Sequence, residues 1–338
     1  MARSKHLHRA NQRLQYAKEI ESKIRTWSMG EFFRLSTVHL ALFMMAPMSV
    51  FQLGRILSPV DQTEEFLHLG VTTFPPLIRH FLEQSLISQS RNDDPVKQSE
   101  KSLCLQRDGN VCVFIGDPNP RVCHILPLSW GNSKAAMKKT LLLRPAINVM
   151  MGTDWMHQHD KHIGDADRVW NMLCLNEKLH ELWTRGSCAF KGIRVQHLNQ
   201  RESVVVLEFH WMPKLENTKP MVHANLEGRQ NDWTRMANAM HQLHASKVPA
   251  ATTEAQPGLS IPLGKRIDIR MARREAGKFK AMIDLQWACI TAAALSGVAS
   301  PRMLHEYEPY WWRCDKPYWY KCEEGMRFNV LSWLDKID

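Results

Sequence analysis

Two stretches of the chain decide the predicted fold: residues 121–127 read R-V-C-H-I-L-P, and residues 170–186 read W-N-M-L-C-L-N-E-K-L-H-E-L-W-T-R-G. The first contains His124 at the start of an apolar run, and the second contains Asn171 and His180. Hydrolysis of a phosphodiester requires a base that activates water and a cation that offsets charge on the phosphate. Histidine titrates near neutral pH, so His124 can be that base. We therefore take His124, Asn171 and His180 as candidate catalytic residues.

The local pattern around these residues predicts strands followed by a helix. Residues 112–115 and 122–126 are short β-prone runs separated by G-D-P-N-P-R, which is typical of a hairpin. Leucines spaced through residues 171–183 predict a helix with His180 on its less apolar side. Asn171 at the start of that helix can cap it and hold the preceding loop, or it can ligate a metal itself. Together these elements predict an α+β unit over residues 112–193.

These segments resemble the HNH nuclease domain of the His-Me finger, or ββα-metal, type, in a variety frequent in fungal proteins. The matching motifs are R-D-G-N-V-C-V-F-I-G at 107–116, C-H-I-L-P at 123–127 and the segment 171–183. The resemblance implies a metal-dependent endonuclease acting on nucleic acid, with DNA favoured over RNA. It also implies a divalent metal ion and no small-molecule cofactor. The implied metal ligands are His180, Asn171 and Cys123.

Two positions differ from the family pattern. Cys123 stands where Asp or His is frequent, and thiolate favours zinc or nickel over magnesium, so the predicted ion is magnesium, zinc, nickel or manganese. Thr184 stands where related sequences often carry Asp. The alternative function is therefore a catalytically inactive HNH-fold protein that acts in nucleic-acid binding, protein interaction or an accessory pathway role.

The composition fits a nucleic-acid partner. The chain has 338 residues, of which 44% are hydrophobic, and a formal net charge of +10. This excess of basic residues favours nucleic acid or an acidic membrane surface, or it serves solubility alone. Residues 134–144 form a cationic patch that predicts salt-sensitive DNA binding. The sequence has no Walker loop, dinucleotide fingerprint, nucleophile elbow or H-E-x-x-H motif, which argues against those enzyme classes.

Cysteines and further histidines suggest other metal sites. The eight irregularly spaced cysteines predict reduced thiols and an intracellular protein, nuclear or cytoplasmic. Four of them can be combined into a structural zinc site, although buried thiols are favoured because no C-x-x-C pair is present: Cys104, Cys112, Cys123 and Cys174. The run H-Q-H-D-K-H at 157–162 is interpreted as an exposed polar loop or a metal cluster.

The chain is predicted to have three parts. Residues 1–102 form a helical N-terminal region that ends in a polar linker at 88–102, and residues 103–213 form the HNH-like domain with a large insert. Residues 214–338 form an extension with a flexible connection, a helix at 278–299 and an aromatic tail that covers this helix or stacks on bases.

The sequence also allows structural predictions for two further segments. The charge-free run 35–54 predicts a buried helix broken at Pro47 rather than a membrane span, so a membrane partner is not expected. Residues 204–210 predict a strand, with a partner that begins near Val195.

Overall fold

The computed structural model describes residues 2–87, 95–152, 155–215, 218–245, 259, 261–298 and 301–304. The fold combines helices and sheets, which confirms the predicted α+β class. The α-helices are α1 (Ala2–Ile24), α2 (Thr37–Met45), α3 (Glu64–Thr72), α4 (Phe74–Ile87), α5 (Pro95–Arg107), α6 (Lys134–Leu141), α7 (Arg144–Met151), α8 (Trp155–Gly164), α9 (Glu177–Thr184), α10 (Asp232–Ala245) and α11 (Arg273–Leu295). The strands are β1 (Arg121–His124), β2 (Met172–Leu175), β3 (Cys188–His197), β4 (Glu202–Trp211) and β5 (Arg266–Ala272).

Two antiparallel sheets organise the strands. β1 pairs with β2, with His124 opposite Met172, and α9 follows β2 and contacts β1. β3, β4 and β5 form the second sheet, against which α11 packs. The predicted strand at 204–210 is confirmed as part of β4. Its partner is β3, which begins at Cys188 and not near Val195, and β5 was not predicted.

The predicted hairpin between residues 112–115 and 122–126 is wrong. Residues 112–116 turn back on themselves, because Gly116 N donates to Cys112 O at 2.8 Å and Cys112 N donates to Asp117 O at 2.8 Å. Gly116 has a φ of 78°, a conformation that glycine adopts without strain. The partner of β1 is instead β2, on the far side of the insert. Local β-propensity does not reveal such a distant pairing.

The predicted helix at 171–183 begins too early. Residues 172–175 are all buried in β2, and α9 starts only at Glu177. The N-cap is Asn176, whose side chain accepts from Lys178 N at 2.9 Å and Leu179 N at 3.4 Å. Asn171 therefore lies before β2 and caps no helix. A buried apolar run as short as M-L-C-L has no periodicity that separates strand from helix.

The N-terminal region is helical, as predicted. In the run 35–54, α2 ends at Met45 before Pro47, and a 3₁₀ turn follows at Met48–Phe51. Among the described residues, no helix is both long and apolar enough to span a bilayer.

Two predicted non-helical segments prove to be helical. The linker prediction for 88–102 is wrong from residue 95 onward, where α5 begins, and residues 88–94 lie outside the described part. The histidine run at 157–162 lies on α8 rather than in a loop. Residues 305–338, which include the predicted aromatic tail, also lie outside the described residues, as do 246–258 of the predicted connection.

Buried side chains from all three predicted parts meet in one hydrophobic cluster, which extends along the sequence from Ala10 to Leu304. α11 contributes to this cluster through contacts with β3, α2 and α4. A smaller cluster contains Cys104, Met172 and Cys174, between α5 and β2. The division at residues 102 and 213 thus remains a proposal about sequence segments that share one core.

Candidate active site

His124 is the last residue of β1, and its ring is held by a carboxylate from the insert. Its Nε2 atom lies 2.9 Å from Oδ1 of Asp167, and the two side chains are 10% and 21% exposed. A carboxylate only accepts hydrogen bonds, so Nε2 carries the hydrogen and the lone pair resides on Nδ1. Asp167 was not singled out from the sequence. The only sequence feature that points to Asp167 is its position in the polar run D-A-D-R, shortly before Asn171.

Asn171 joins the segment after His124 to the segment that carries Asp167. Its side chain is fully buried. Oδ1 accepts from Leu126 N at 2.9 Å, while Nδ2 donates to Leu126 O and Ala166 O, both at 3.0 Å. The amide oxygen is thus already engaged by a backbone N–H. These bonds join the backbone at Leu126 to the segment of Ala166, and they leave the amide poorly placed to ligate a metal.

His180 lies on α9 with its side chain almost buried. Burial, followed by the neighbouring Arg121 and His124, lowers the pKa of His180 to about 4. α9 contacts β1, the strand that ends at His124. The ring packs edge-on against Trp183, with centroids 6.2 Å apart. Among the described residues no hydrogen bond uses its ring nitrogens, so at neutral pH His180 offers an uncharged imidazole lone pair.

Residues 112–191 match a family model described as HNH endonuclease. This match supports an HNH nuclease domain. It begins at the turn after α5 and includes β1, the insert, β2 and α9. No curated protein and no solved structure matched the chain.

Cys123 does not join the other candidate residues of the HNH domain. Successive side chains of a strand point to opposite faces, so the thiol lies on the face of β1 opposite His124. Cys123 is buried in the main core, and its Sγ donates to Arg121 O at 3.3 Å. Burial raises the pKa of this thiol well above its ordinary value. A neutral, core-facing thiol is a poor ligand, so we do not retain Cys123 in the proposed metal site.

The remaining donors suit a divalent ion that the protein holds through few groups. Within the described residues, the compact group of three or more potential ligand atoms is Cys104, Asp108 and Cys174, not the region of His124 and His180. In this region His180 supplies a neutral imidazole, and Asp167 supplies a carboxylate that is already bonded to His124. A divalent ion held by so few protein groups would fill its other positions with water and substrate phosphate.

The other predicted metal sites are assembled only in part. Of the four thiols considered for zinc, Cys104 and Cys174 meet, with their Sγ atoms 3.7 Å apart. On α8, Nδ1 of His159 lies 3.1 Å from Nδ1 of His162, while His157 is exposed. Burial and the neighbouring His162 lower the pKa of His159 to about 4, so this pair is uncharged at neutral pH.

The predicted cationic patch lies on the insert. Ser133 caps α6 by accepting from Ala136 N at 3.1 Å, and this short helix presents Lys134 and Lys138 to solvent. The insert also carries Asp167. The same segment therefore carries exposed cations and supplies the carboxylate that holds His124.

Proposed function

We propose that this protein is a metal-dependent endonuclease of the HNH type that hydrolyses nucleic-acid phosphodiesters, with DNA as the favoured substrate. The proposed core is a ββα-metal site made by β1, β2 and α9, in the variety frequent in fungal proteins. One observation carries the proposal: His124 is bonded through Nε2 to Asp167, at the end of the strand that is contacted by α9, the helix of His180. A basic chain with reduced thiols suits a nuclear or cytoplasmic location.

His124 acts as the general base in this proposal. With its hydrogen on Nε2, the ring accepts the proton of the attacking water at Nδ1. Asp167 keeps the ring in that tautomer and stabilises the imidazolium that forms, because the negative carboxylate lies 2.9 Å from the charged ring. Asn171 holds the backbone after His124 in register with the segment of Asp167.

His180 would hold the divalent ion, and Asp167 is the candidate for a carboxylate ligand. When bound, such an ion offsets negative charge on the scissile phosphate and on the leaving oxygen. Imidazole favours zinc or nickel, whereas carboxylate and phosphate oxygens favour magnesium or manganese. All four ions therefore belong in the activity assay.

The test uses purified protein, supercoiled plasmid and each of these four ions. Wild type should nick and linearise the plasmid. His124→Ala should abolish cleavage while metal binding, measured by calorimetry, stays nearly intact, because the base acts on water. His157→Ala, which alters an exposed histidine on α8, serves as the matched control and should cleave like wild type.

A second candidate is a nucleic-acid-binding protein that keeps the HNH fold without catalysis. The observation that favours it is Thr184, whose buried hydroxyl donates to Glu181 O at 2.9 Å and supplies no carboxylate. Wild-type protein that binds plasmid, cleaves with none of the four ions and behaves like His124→Ala would replace the nuclease proposal with this one.

A further inference from the structure

A second compact cluster of reactive side chains lies between α5 and β2, away from His180. Cys104 on α5 and Cys174 on β2 are both fully buried, with their Sγ atoms 3.7 Å apart. Cys104 Sγ donates to Oδ2 of Asp108 at 3.7 Å, and the backbone N–H of Cys174 donates to the same oxygen at 2.9 Å. Two thiols in direct contact beside a carboxylate can bind a metal or be oxidised together.

Arg107 decides between these two possibilities. Its guanidinium bonds both oxygens of Asp108, with Nε at 2.7 Å from Oδ1 and Nη2 at 2.9 Å from Oδ2. The two side chains of this pair are only 9% and 1% exposed. A metal ion on Asp108 would displace this buried cation or lie directly against it, and separating a buried ion pair is strongly unfavourable. The cluster also offers three ligands, whereas structural zinc takes four.

Oxidation of the thiols leaves the buried ion pair intact. Closing the bond between the two sulfurs removes the Cys104 donation to Asp108 and leaves the ion pair of Arg107 and Asp108 in place. It also leaves the bonds of Arg107 to Val169 O and Met172 O, both at 2.8 Å. The required change is an approach of two side chains that already touch.

We propose that Cys104 and Cys174 are a modification site, at which a hydroperoxide oxidises the two thiols to an intrachain disulfide. Cys104 loses its proton as its sulfur attacks one peroxide oxygen: an S–O bond forms, the O–O bond breaks, and the departing hydroxide takes up that proton and leaves as water. The thiol of Cys174 then attacks the sulfenic sulfur; the S–S bond forms, the S–O bond breaks, and water leaves with the thiol proton. The two thiols lose two electrons, and hydrogen peroxide is reduced to water.

The neighbours of each sulfur fit these roles. Arg107 Nη2 donates to Cys104 Sγ at 3.4 Å, so a cation lies beside the sulfur that attacks first, and Cys104 Sγ itself donates to Asp108 Oδ2 at 3.7 Å. For Cys174, the hydrogen bond with Cys104, burial and nearby negative charge raise the pKa, so this sulfur remains a thiol until it attacks. Burial also raises the pKa of Cys188 and Cys289, for which no thiol partner occurs among the described residues.

The disulfide would tie α5 to the strand beside the proposed base. Cys174 pairs with Val122, and Met172, two residues earlier, pairs with His124. The cross-link would join residues 70 positions apart and close a loop that contains the whole insert. Its formation depends on no step of the proposed nuclease reaction, so either proposal can fail alone.

Peptide mapping of the full chain tests the site without any nucleic acid. Protein treated with hydrogen peroxide is alkylated, digested without reductant and analysed by mass spectrometry. We expect the Cys104–Cys174 peptide as the dominant cross-link, its loss after dithiothreitol, and its absence in Cys104→Ser and Cys174→Ser. Cys188→Ser, which removes another fully buried thiol, should still form it. Wild-type mapping alone decides the matter if a serine variant does not fold.

Two results would overturn the proposal. The first is peroxide-treated wild type in which Cys104 and Cys174 remain free or pair with other cysteines, such as Cys314 or Cys322. The second is one equivalent of zinc in the purified protein, found by elemental analysis and lost in both serine variants, because the thiols would then be metal ligands.

Discussion

Nε2 of His124 and Oδ1 of Asp167 lie 2.9 Å apart, although the two residues are separated by 43 positions in the sequence. One ends a strand and the other follows α8 in the insert. The contact fixes which nitrogen of His124 carries the hydrogen, and so it assigns Nδ1 as the atom that can accept a proton. The insert thereby completes the candidate site, in addition to separating its two strands.

Replacing Asp167 by Asn should lower the cleavage rate roughly a hundredfold, because an amide does not stabilise the protonated ring. Plasmid cleavage at neutral pH measures this loss. Asp165→Asn, which alters an exposed ion pair with Arg168 in the same segment, is the control. Equal cleavage rates for Asp167→Asn and wild type would refute the role of Asp167.

Asn171→Ala should destabilise the protein by about 3 kcal/mol or more, because it leaves Leu126 N, Leu126 O and Ala166 O without their buried partner. Urea unfolding at neutral pH measures this loss. Asn132→Ala removes an exposed amide from the same insert and should change the unfolding free energy by less than about 0.5 kcal/mol. If Asn171→Ala were as stable as wild type, the proposed loop-holding role would have to be abandoned.

His180→Ala should lose both metal binding and cleavage, unlike His124→Ala, which should lose cleavage alone. The reason is that the uncharged imidazole of His180 is the proposed ligand, whereas His124 acts on water. Calorimetric titration with manganese or zinc separates the two variants. If His180→Ala bound metal as tightly as wild type, residues other than His180 would have to be the metal ligands.

The protein should lose stability as the pH falls from about 6.5 towards 3. Burial lowers the pKa of His39 and of His80 to about 3 from an ordinary value of 6.5, so both stay neutral when folded and take up protons when unfolded. Their contribution is complete above pH 6.5 and declines below it, by about 1.4 kcal/mol per pH unit for each ring. Unfolding free energies measured from pH 7 to 4 test this slope.

The variant His80→Gln tests the contribution of one histidine to this pH dependence of stability. Glutamine does not titrate, so the pH dependence of the unfolding free energy should become shallower by about 1.4 kcal/mol per pH unit. His80 stacks on Trp130 and bonds Thr140 Oγ1 at 3.2 Å, so the variant should also be less stable at pH 7. His157→Gln, at an exposed position, should leave the slope unchanged. An unaltered slope in His80→Gln would mean that this histidine already titrates normally.

DNA affinity should fall steeply with salt, and the double variant Lys134→Gln, Lys138→Gln should reduce the slope of log affinity against log salt by about 2. Each lysine that contacts a phosphate releases about one counterion, and both lysines are exposed on α6. Fluorescence anisotropy with a labelled duplex at several salt concentrations measures the slope. Lys219→Gln, also at an exposed position, is the control. If wild type did not bind DNA even at low salt, the net positive charge would serve solubility alone.

The sequence by itself determined which residues to consider and the class of the fold. His124, Asn171 and His180 were found from residue types and spacing, because the chemistry of phosphodiester hydrolysis restricts which side chains can take part. The helices of the N-terminal region and β4 were also predictable, since their hydrophobic periodicity is a local property. The roles assigned to the three candidate residues remain proposals.

Tertiary structure alone decided which segments meet. The pairing of β1 with β2, the bond from Asp167 to His124 and the contact between Cys104 and Cys174 all join residues across the insert. Alternation along β1 places Cys123 on the face opposite His124, and the packing of the core shows that this face is buried. A local sequence pattern indicates whether a segment prefers strand or helix. It does not identify the distant segment with which a strand pairs, because strand pairing depends on how the whole chain buries its apolar surface.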